Sequence, residues 1–582
     1  MNRLYFSTCR RRLLDLPMVL AWVVAASSGA FAQGHWLGPD DQPPPQRAAE
    51  GIGPRSESEP IVRMAYLIPS NRVAQVDGAA SFRQAMLLAR DWYRDQMVAH
   101  GQGVRTFRME MEGDGVTPLI HVTNVAVTDS YLRGDIFGRT IDAAIAAGIP
   151  VWSVGQLWVL IPETHFQNAN GEVTGGAALG ASFGSGSDPG VALLGSDGLV
   201  RFKYLTDDRS YAGLTVPELG PYPLVQDVSF FWFEGTTLSS VSSSAIGALM
   251  HEMGHAFGLP HDFRNDANFY GNLMGNGLRG VRANFYPARY PIDLSWLSTS
   301  AAKVLGVSRY FGGSSAENVR PALTIHTSGS TAIASGLLKI DFTTSDASGL
   351  VAAFLHFNGD RVGEMALSGT AFSGSFMTPY YAPGVAGTFE ISVYDVHANK
   401  QSVISTITPT GAGNRAPQAH FKVSRNIGFT GETLNLNASA SSDPDGAVVL
   451  NYEWDFNGDG TFDTSPSSTS SSSLMLPGPD NRKIQVRVTD PASAQSSSAP
   501  LFVEFHRPAM NLQLNPPGTA AVDWMTRLGI VYQPSRSYDL VDWDSLFAPA
   551  LHGNGGSASF ADPVGAQNAR FYRADMTRRL AP

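Results

Sequence analysis

HEMGHAFGLPHD, residues 251–262, sets three histidines, a glutamate and two glycines within twelve positions of a chain that has 13 histidines in 582 residues. Side chains four apart on a helix lie about 40° apart around the axis and one turn along it. His251 and His255 therefore project side by side and can offer two imidazole nitrogens to one ion. Glu252 is rotated from them but stays near enough to hold a water at such an ion. A third ligand has to come from beyond the helix, so the chain must turn sharply. Gly258 supplies a residue able to take positive φ at a helix end, and Pro260 forbids helical continuation. His261 follows, placed to return to the metal. Three neutral imidazoles with a fourth position left open suit a catalytic zinc ion, which makes a water acidic enough to lose its proton to an adjacent carboxylate. The competing reading is a helix end with histidines at i and i+4 and no ion.

The full pattern, HExxHxxGxxH, resembles the metzincin zinc peptidases. That resemblance implies His251, His255 and His261 as ligands of one catalytic Zn2+, with Glu252 as general base and then general acid in peptide-bond hydrolysis. It also implies a Met-turn beneath the metal. NLMG at 272–275 would supply one through Met274, thirteen residues past His261. Asp262 is similar to what reprolysin-like enzymes carry after the third histidine. Asn276 stands two residues after Met274, where astacin-like and serralysin-like enzymes place a tyrosine. The resemblance therefore leaves the subfamily open, along with transition-state stabilisation beyond zinc.

Outward from the motif, residues 59–312 alternate between strand-like and helix-like patterns. Ile61 to Ile68 is an apolar run that fits a buried strand, and Ala79 to Val98 has helical spacing. Val104 to Met111 alternates as a strand, Tyr131 to Ala147 returns to helical spacing, and Val151 to Leu160 reads as another strand. The interchange predicts an α/β (α+β) layer. The Gly-rich stretch 163–200, with short apolar pieces such as VALLG at 191–195, fits an edge strand with long loops, and an edge strand in the 172–195 region could take a peptide substrate as an added strand. Ser242 to Ser244 would cap the helix that runs into the motif. A last helical stretch, Leu294 to Val304, closes this region.

From about residue 320 helical periodicity gives way to short alternating runs, and the expectation becomes a series of β-sandwich modules. AGTFEISVYDVHANKQS (386–402) resembles the last strands of bacterial immunoglobulin-like modules and places one over 320–407. ASASSDPDG (438–446) followed by YEWDFNGDG (452–460) resembles the PKD domain, over 416–505. A further β-module occupies 508–582. The D-x-N-x-D-G spacing of Asp455, Asn457, Asp459 and Asp463 could hold a structural Ca2+, but Pro466 stands where an EF-hand would want a carboxylate. The competing reading is a polar β-turn. Asp188 and Asp197 offer a second choice of the same kind, between a cation site and turn chemistry.

The N-terminus has the form of a secretory signal: Arg3 and Arg10 to Arg12, an apolar run from Leu16 to Ala26, then Ala30-Phe31-Ala32. Residues 1–32 are expected to be removed, with 33–58 a linker or short pro-segment, and the protein to be secreted. The sole cysteine, Cys9, falls in the removed part, so no disulfide is expected. The formal charge is −10, and the signal carries +3 of it, leaving −13. So acidic a chain is a poor candidate for nucleic acid. The expected function is hydrolysis of peptide bonds in extracellular proteins. The alternative is an inactive adhesin, binding matrix, cell-surface or polysaccharide partners through the β-modules. Oligomeric state is open.

Overall fold

The computed structural model describes residues 60–578 apart from short stretches, among them 184–188, 208–210, 226–236, 265–270, 287–294, 314–318 and 538–550. The expected signal and linker, with Cys9, lie outside the described residues. So does Asp188.

The first region runs β1 (Ile61–Pro69), α1 (Gly78–Ala99), β2 (Ile120–Val125), α2 (Asp129–Arg133), α3 (Ile136–Ala146), β3 (Gln156–Pro162), a small hairpin of β4 (Phe166–Gln167) and β5 (Val173–Thr174), then β6 (Ala178–Ser182), β7 (Gly190–Leu194) and α4 (Asp197–Arg201). The long helix α5 (Leu238–Ala256) carries the histidine motif, and α6 (Val281–Phe285) and α7 (Thr299–Val307) follow. One sheet has the order β2-β1-β3-β7-β6. Its first four strands are parallel and β6 is antiparallel at the edge. Parallel strands covered on both faces should be apolar throughout, which is how IVRMAYLIP and QLWVLIP read. Alternate residues of β1 go to opposite layers. Val62, Met64 and Tyr66 join the core with α1 and α5, while Ala65 and Leu67 meet Ile141 and Ala144 of α3.

The edge strand expected within 172–195 is β6, ALGAS at 178–182, while VALLG forms β7, buried at every position between β3 and β6. Three local expectations change. Residues 104–111 form only isolated bridges at Met109 and Met111. The helical stretch from 131 is two helices, broken at Gly134 with Asp135 capping the second. Helix α5 starts at Leu238, capped by Thr237 in a reciprocal box with Ser240, so Ser242 to Ser244 lie inside it. Serine is an ordinary capping residue, but here neighbouring elements take up its hydroxyls: Ser239 donates to the Leu205 carbonyl (2.8 Å) and Ser243 to that of Arg279 (2.7 Å).

Eight strands come next: β8 (Ala322–Ile325), β9 (Gly329–Ala334), β10 (Leu337–Ser345), β11 (Leu350–Phe357), β12 (Asp360–Ala366), β13 (Ala371–Thr378), β14 (Gly387–Asp395) and β15 (Lys400–Thr410). Their path β12-β11-β14-β15 continues through β9 to β10 and β13. It folds over a shared core of Leu338, Ile340 and Phe342 on one side and Leu355, Phe389 and Ile391 on the other. Strands between Lys422 and His506 make two further sheets around Trp454, and those from Met510 to Arg578 make two three-stranded sheets. The architecture is thus multidomain, an α/β region followed by β-sandwich modules. No helix among the described residues is long and apolar enough to cross a membrane.

The α/β region and the first sandwich share one core. Val351, Ala352, Phe354 and Tyr394 of the sandwich pack in the same cluster as Met253, Phe257, Ala301 and Leu305.

Candidate metal centre

Helix α5 ends in the turn that the sequence implies. Phe257 closes it, Gly258 takes φ +96°, and two hydrogen bonds seal the end: Gly258 N–H to the His255 carbonyl (2.9 Å) and Leu259 N–H to that of Gly254 (2.9 Å). This is a Schellman closure, which needs a left-handed residue where Gly258 stands. The chain then reverses past Pro260 and delivers His261 to the helix face.

The three imidazoles converge. Their ligand nitrogens lie within 4.8 Å of one another, and the ring centroids are 4.7 Å (His251–His255), 4.4 Å (His255–His261) and 5.2 Å (His251–His261) apart. His251 is buried, His255 half-buried and His261 exposed, so the cluster opens to solvent on one side. His251 Nδ1 meets the Leu273 carbonyl at 2.6 Å, and His255 Nδ1 meets that of Leu259 at 2.8 Å. A carbonyl only accepts, so both Nδ1 atoms donate and both Nε2 atoms are left for the centre. Those Nε2 atoms stand 3.0 Å apart. Burial and the mutual repulsion of the three rings push His251 down to about 3, and burial with the charge of His261 pushes His255 down to about 4. The rings are neutral near pH 7, and two lone pairs face each other across 3.0 Å. That donor set fits a divalent metal of the zinc type.

Glu252 is buried beside the cluster, and loss of solvation holds its carboxyl up to about 8. Met274 is fully buried under the helix, and a Cβ on Gly254 would overlap its Sδ. The glycine between the two helical histidines is therefore what lets the thioether lie against the helix. Asn272 shapes this turn by accepting from Met274 N–H (3.0 Å). Tyr93 of α1 braces the helix from below, its hydroxyl donating to the Met250 carbonyl (2.7 Å).

Two arginines near the centre escape sequence reasoning. Arg279 follows the Met-turn, and burial pushes its guanidinium down to about 10. Its charge is among the influences that keep His251 neutral. Arg361 comes from the sandwich and pairs with Asp262 at 2.6 Å. No motif marks either residue.

The calcium expectation gains no donor set. The Asp455 carboxylate accepts from the N–H groups of Asn457 (3.1 Å), Gly458 (2.6 Å) and Gly460 (3.0 Å), and Asp463 from Phe456 (2.7 Å). The oxygens are turned onto the turn's own backbone. Asp197 pairs with Arg201 at 3.2 Å. Among the described residues, the three histidines are the group placed to hold a metal.

A model of the family Metallopep, described as "Putative peptidase family", matches residues 129–265, from α2 through the third histidine. This match supports a peptidase. No curated protein matches the chain. Among solved structures, wild-type OgpA from Akkermansia muciniphila is similar over 61% of this chain and 96% of its own, at 12% identity and a TM-score of 0.38. The fibronectin(III)-like modules of Clostridium thermocellum CbhA align with 32% of this chain and 94% of theirs, at 14% identity and a TM-score of 0.14. Bacteroides ovatus SGBP-B, solved with a mixed-linkage heptasaccharide, aligns with 43% of this chain and 62% of its own, at 13% identity and a TM-score of 0.17. At these scores the reading of the site rests on the chain's own residues.

Proposed function

We propose that this protein is an exported, zinc-dependent endopeptidase of metzincin type. The observation that carries the reading is the convergence of three neutral imidazoles, two of them fixed by carbonyls so that Nε2 faces inward, beside a buried glutamate. His251, His255 and His261 would hold the ion. Zinc, when bound, supplies a Lewis acid that polarises the scissile carbonyl and makes the attacking water more acidic.

Glu252 takes the proton from that water as its oxygen bonds to the carbonyl carbon. As the C–N bond breaks, the same carboxyl returns the proton to the departing amine nitrogen. A nearby cation favours the ionised form, so a carboxyl that burial holds high can act as base and then as acid. The edge strand β6 lies directly against α5: a Cβ on Gly180 would overlap the Glu252 carbonyl. A peptide adding to β6 as a further strand would therefore pass beside Glu252. The basic and apolar N-terminal pattern ending at Ala32 supports export.

Purified protein should contain one zinc per chain, cleave members of a peptide library, and stop on chelation. Glu252→Gln should keep the zinc and lose kcat by roughly 10²–10⁴-fold, the span that general acid–base groups contribute. Wild-type protein that holds zinc but cleaves nothing, matched by an equally inert Glu252→Gln, would instead favour an inactive adhesin.

A further inference from the structure

Asp262, the residue after the third histidine, sits at the crossing of two structures. Its backbone N–H donates to the Met274 carbonyl (2.8 Å), and Asn272 Nδ2 donates to its Oδ2 (2.6 Å). Asp262 is thus tied to the Met-turn, whose Leu273 carbonyl holds His251. The same carboxylate takes Arg264 through Nε (2.8 Å) and Nη2 (2.9 Å). Its remaining partner comes from another module: Arg361 Nη2, at 2.6 Å, from the second position of β12.

Arg361 is delivered with care. Residues 262 and 361 also pair through their backbones as an isolated parallel bridge. The guanidinium lies over the Phe354 ring, 4.9 Å from its centroid, and is completely buried. Glu364 braces it at 3.5 Å, pairs with Arg264 at 3.2 Å and accepts from Ser298 Oγ at 2.6 Å. Tyr394 of β14 donates to the Gly258 carbonyl (3.3 Å) in the turn between the second and third histidines. Sandwich residues therefore grip the His255–His261 turn at its middle and just past its end. The hairpin of β11 and β12 turns at Asn358 and Gly359, and the following carboxylate, Asp360, lies close enough for its charge to act on His261.

Stability alone is a poor reason for this arrangement. A buried ion pair barely repays its desolvation, and Arg361 Nε is buried with no partner. What the pair does supply is position. We propose that Arg361, carried by the first β-sandwich, positions His261 through Asp262, so that the sandwich completes the metal centre from outside the α/β region. The inference rests on the zinc-peptidase reading above and adds a residue to it. Partners bonded directly to a metal ligand typically change metal affinity 10–100-fold when removed, and Arg361, acting through Asp262, is expected at the lower end of that span.

The test is zinc affinity of the full-length protein, measured by competition with a chelator at a temperature where every variant is folded. Arg361→Met should raise the zinc dissociation constant at least tenfold. Arg361→Lys should fall between it and wild type, because it keeps the charge but not the planar fork. Excess zinc should restore much of the lost kcat/KM. Val351→Ala serves as the comparison: it thins the same interface without touching Asp262, so it should lower Tm and leave the zinc constant within about twofold. If Arg361→Met does not fold, Asp262→Asn reads the pair from the other side and should show the same rise. An unchanged zinc constant in the variants of the pair, or an equal rise in Val351→Ala, overturns the inference while leaving the peptidase reading intact. Wild-type protein that binds no zinc overturns the peptidase reading and the inference with it.

Discussion

Glu252 is the residue whose chemistry has the most direct thermodynamic signature. In metal-free protein its carboxyl titrates near 8 where an ordinary one titrates near 4.5. The folded form then holds a proton that the unfolded form has already released, so its stability falls as pH rises from about 4.5 through about 8. His251 and His255 act oppositely, because rings held neutral cost stability as pH falls below their ordinary value of 6.5. The histidine contribution cancels when wild type is compared with Glu252→Gln. Metal-free Glu252→Gln should therefore unfold at higher temperature than metal-free wild type, by a gap that opens above pH 5 and levels off past pH 8. At its widest the gap is on the order of a few kcal/mol. Thermal unfolding after chelation, scanned over pH, measures it, and a gap independent of pH would remove Glu252 from the buried site. The histidines and this glutamate were legible because i, i+4 spacing and a glycine–proline break are local signals. Arg361 was not, because its partner lies 99 positions away and nothing in its own neighbourhood announces it.

At the scale of elements, the histidine-bearing helix and the edge strand are a matched pair. Gly180 and Gly190 each lie where a side chain would overlap a carbonyl of α5, that of Glu252 and that of Ala256. The two strands thus let the helix settle directly on the sheet, with β6 left at the open edge. If peptide binds along β6, Leu179, an exposed side chain on that strand, sits beside its path. Leu179→Asp should raise KM for peptides several-fold while Tm moves by no more than a surface change produces, roughly ±0.5 kcal/mol of stability. Unchanged kinetics would place the substrate elsewhere. The sequence locates this edge only to within residues 172–195, for a physical reason. A five-residue apolar run such as VALLG looks alike in the interior of a sheet and at its border, and a Gly/Ala strand such as ALGAS carries almost no β signal. The same weakness hid the start of α5, where serines that usually mark a helix end are buried along its body.

For the whole molecule, the shared core argues that the α/β region and the first sandwich stand or fall together. A chain ended after Thr410 keeps the Arg361–Asp262 and Tyr394–Gly258 contacts, and it should cleave short peptides with kcat/KM within about twofold of the full protein. A chain ended at Gly312 strips the cover from Met253, Phe257 and Leu305. It should be poorly soluble and inactive, with size-exclusion profiles and peptide turnover as the measurements. Equal activity from both would detach the sandwich from the site. The later modules connect differently: Arg415 clasps Asp445 (2.7 Å) and the Tyr381 carbonyl (2.7 Å), fixing the junction with the first sandwich rather than the catalytic region. Periodicity revealed the change from an α/β region to β-structure, because the loss of helical spacing after 320 is visible over long stretches. It could not reveal that the first module shares its interior with the region before it, since docking surfaces carry the same alternation as any strand.

The distance along the chain between Asp262 and Arg361 also sets a schedule. A polypeptide emerges from its N-terminus at roughly 5–20 residues per second and tends to fold as it appears. All three histidines are out several seconds before the arginine that locks the last of them. On the proposed reading, the metal centre of a nascent chain would be incomplete during that interval and would reach full hold on zinc only once the sandwich has closed. The order of the modules would then delay full metal affinity until well after the histidines themselves are made.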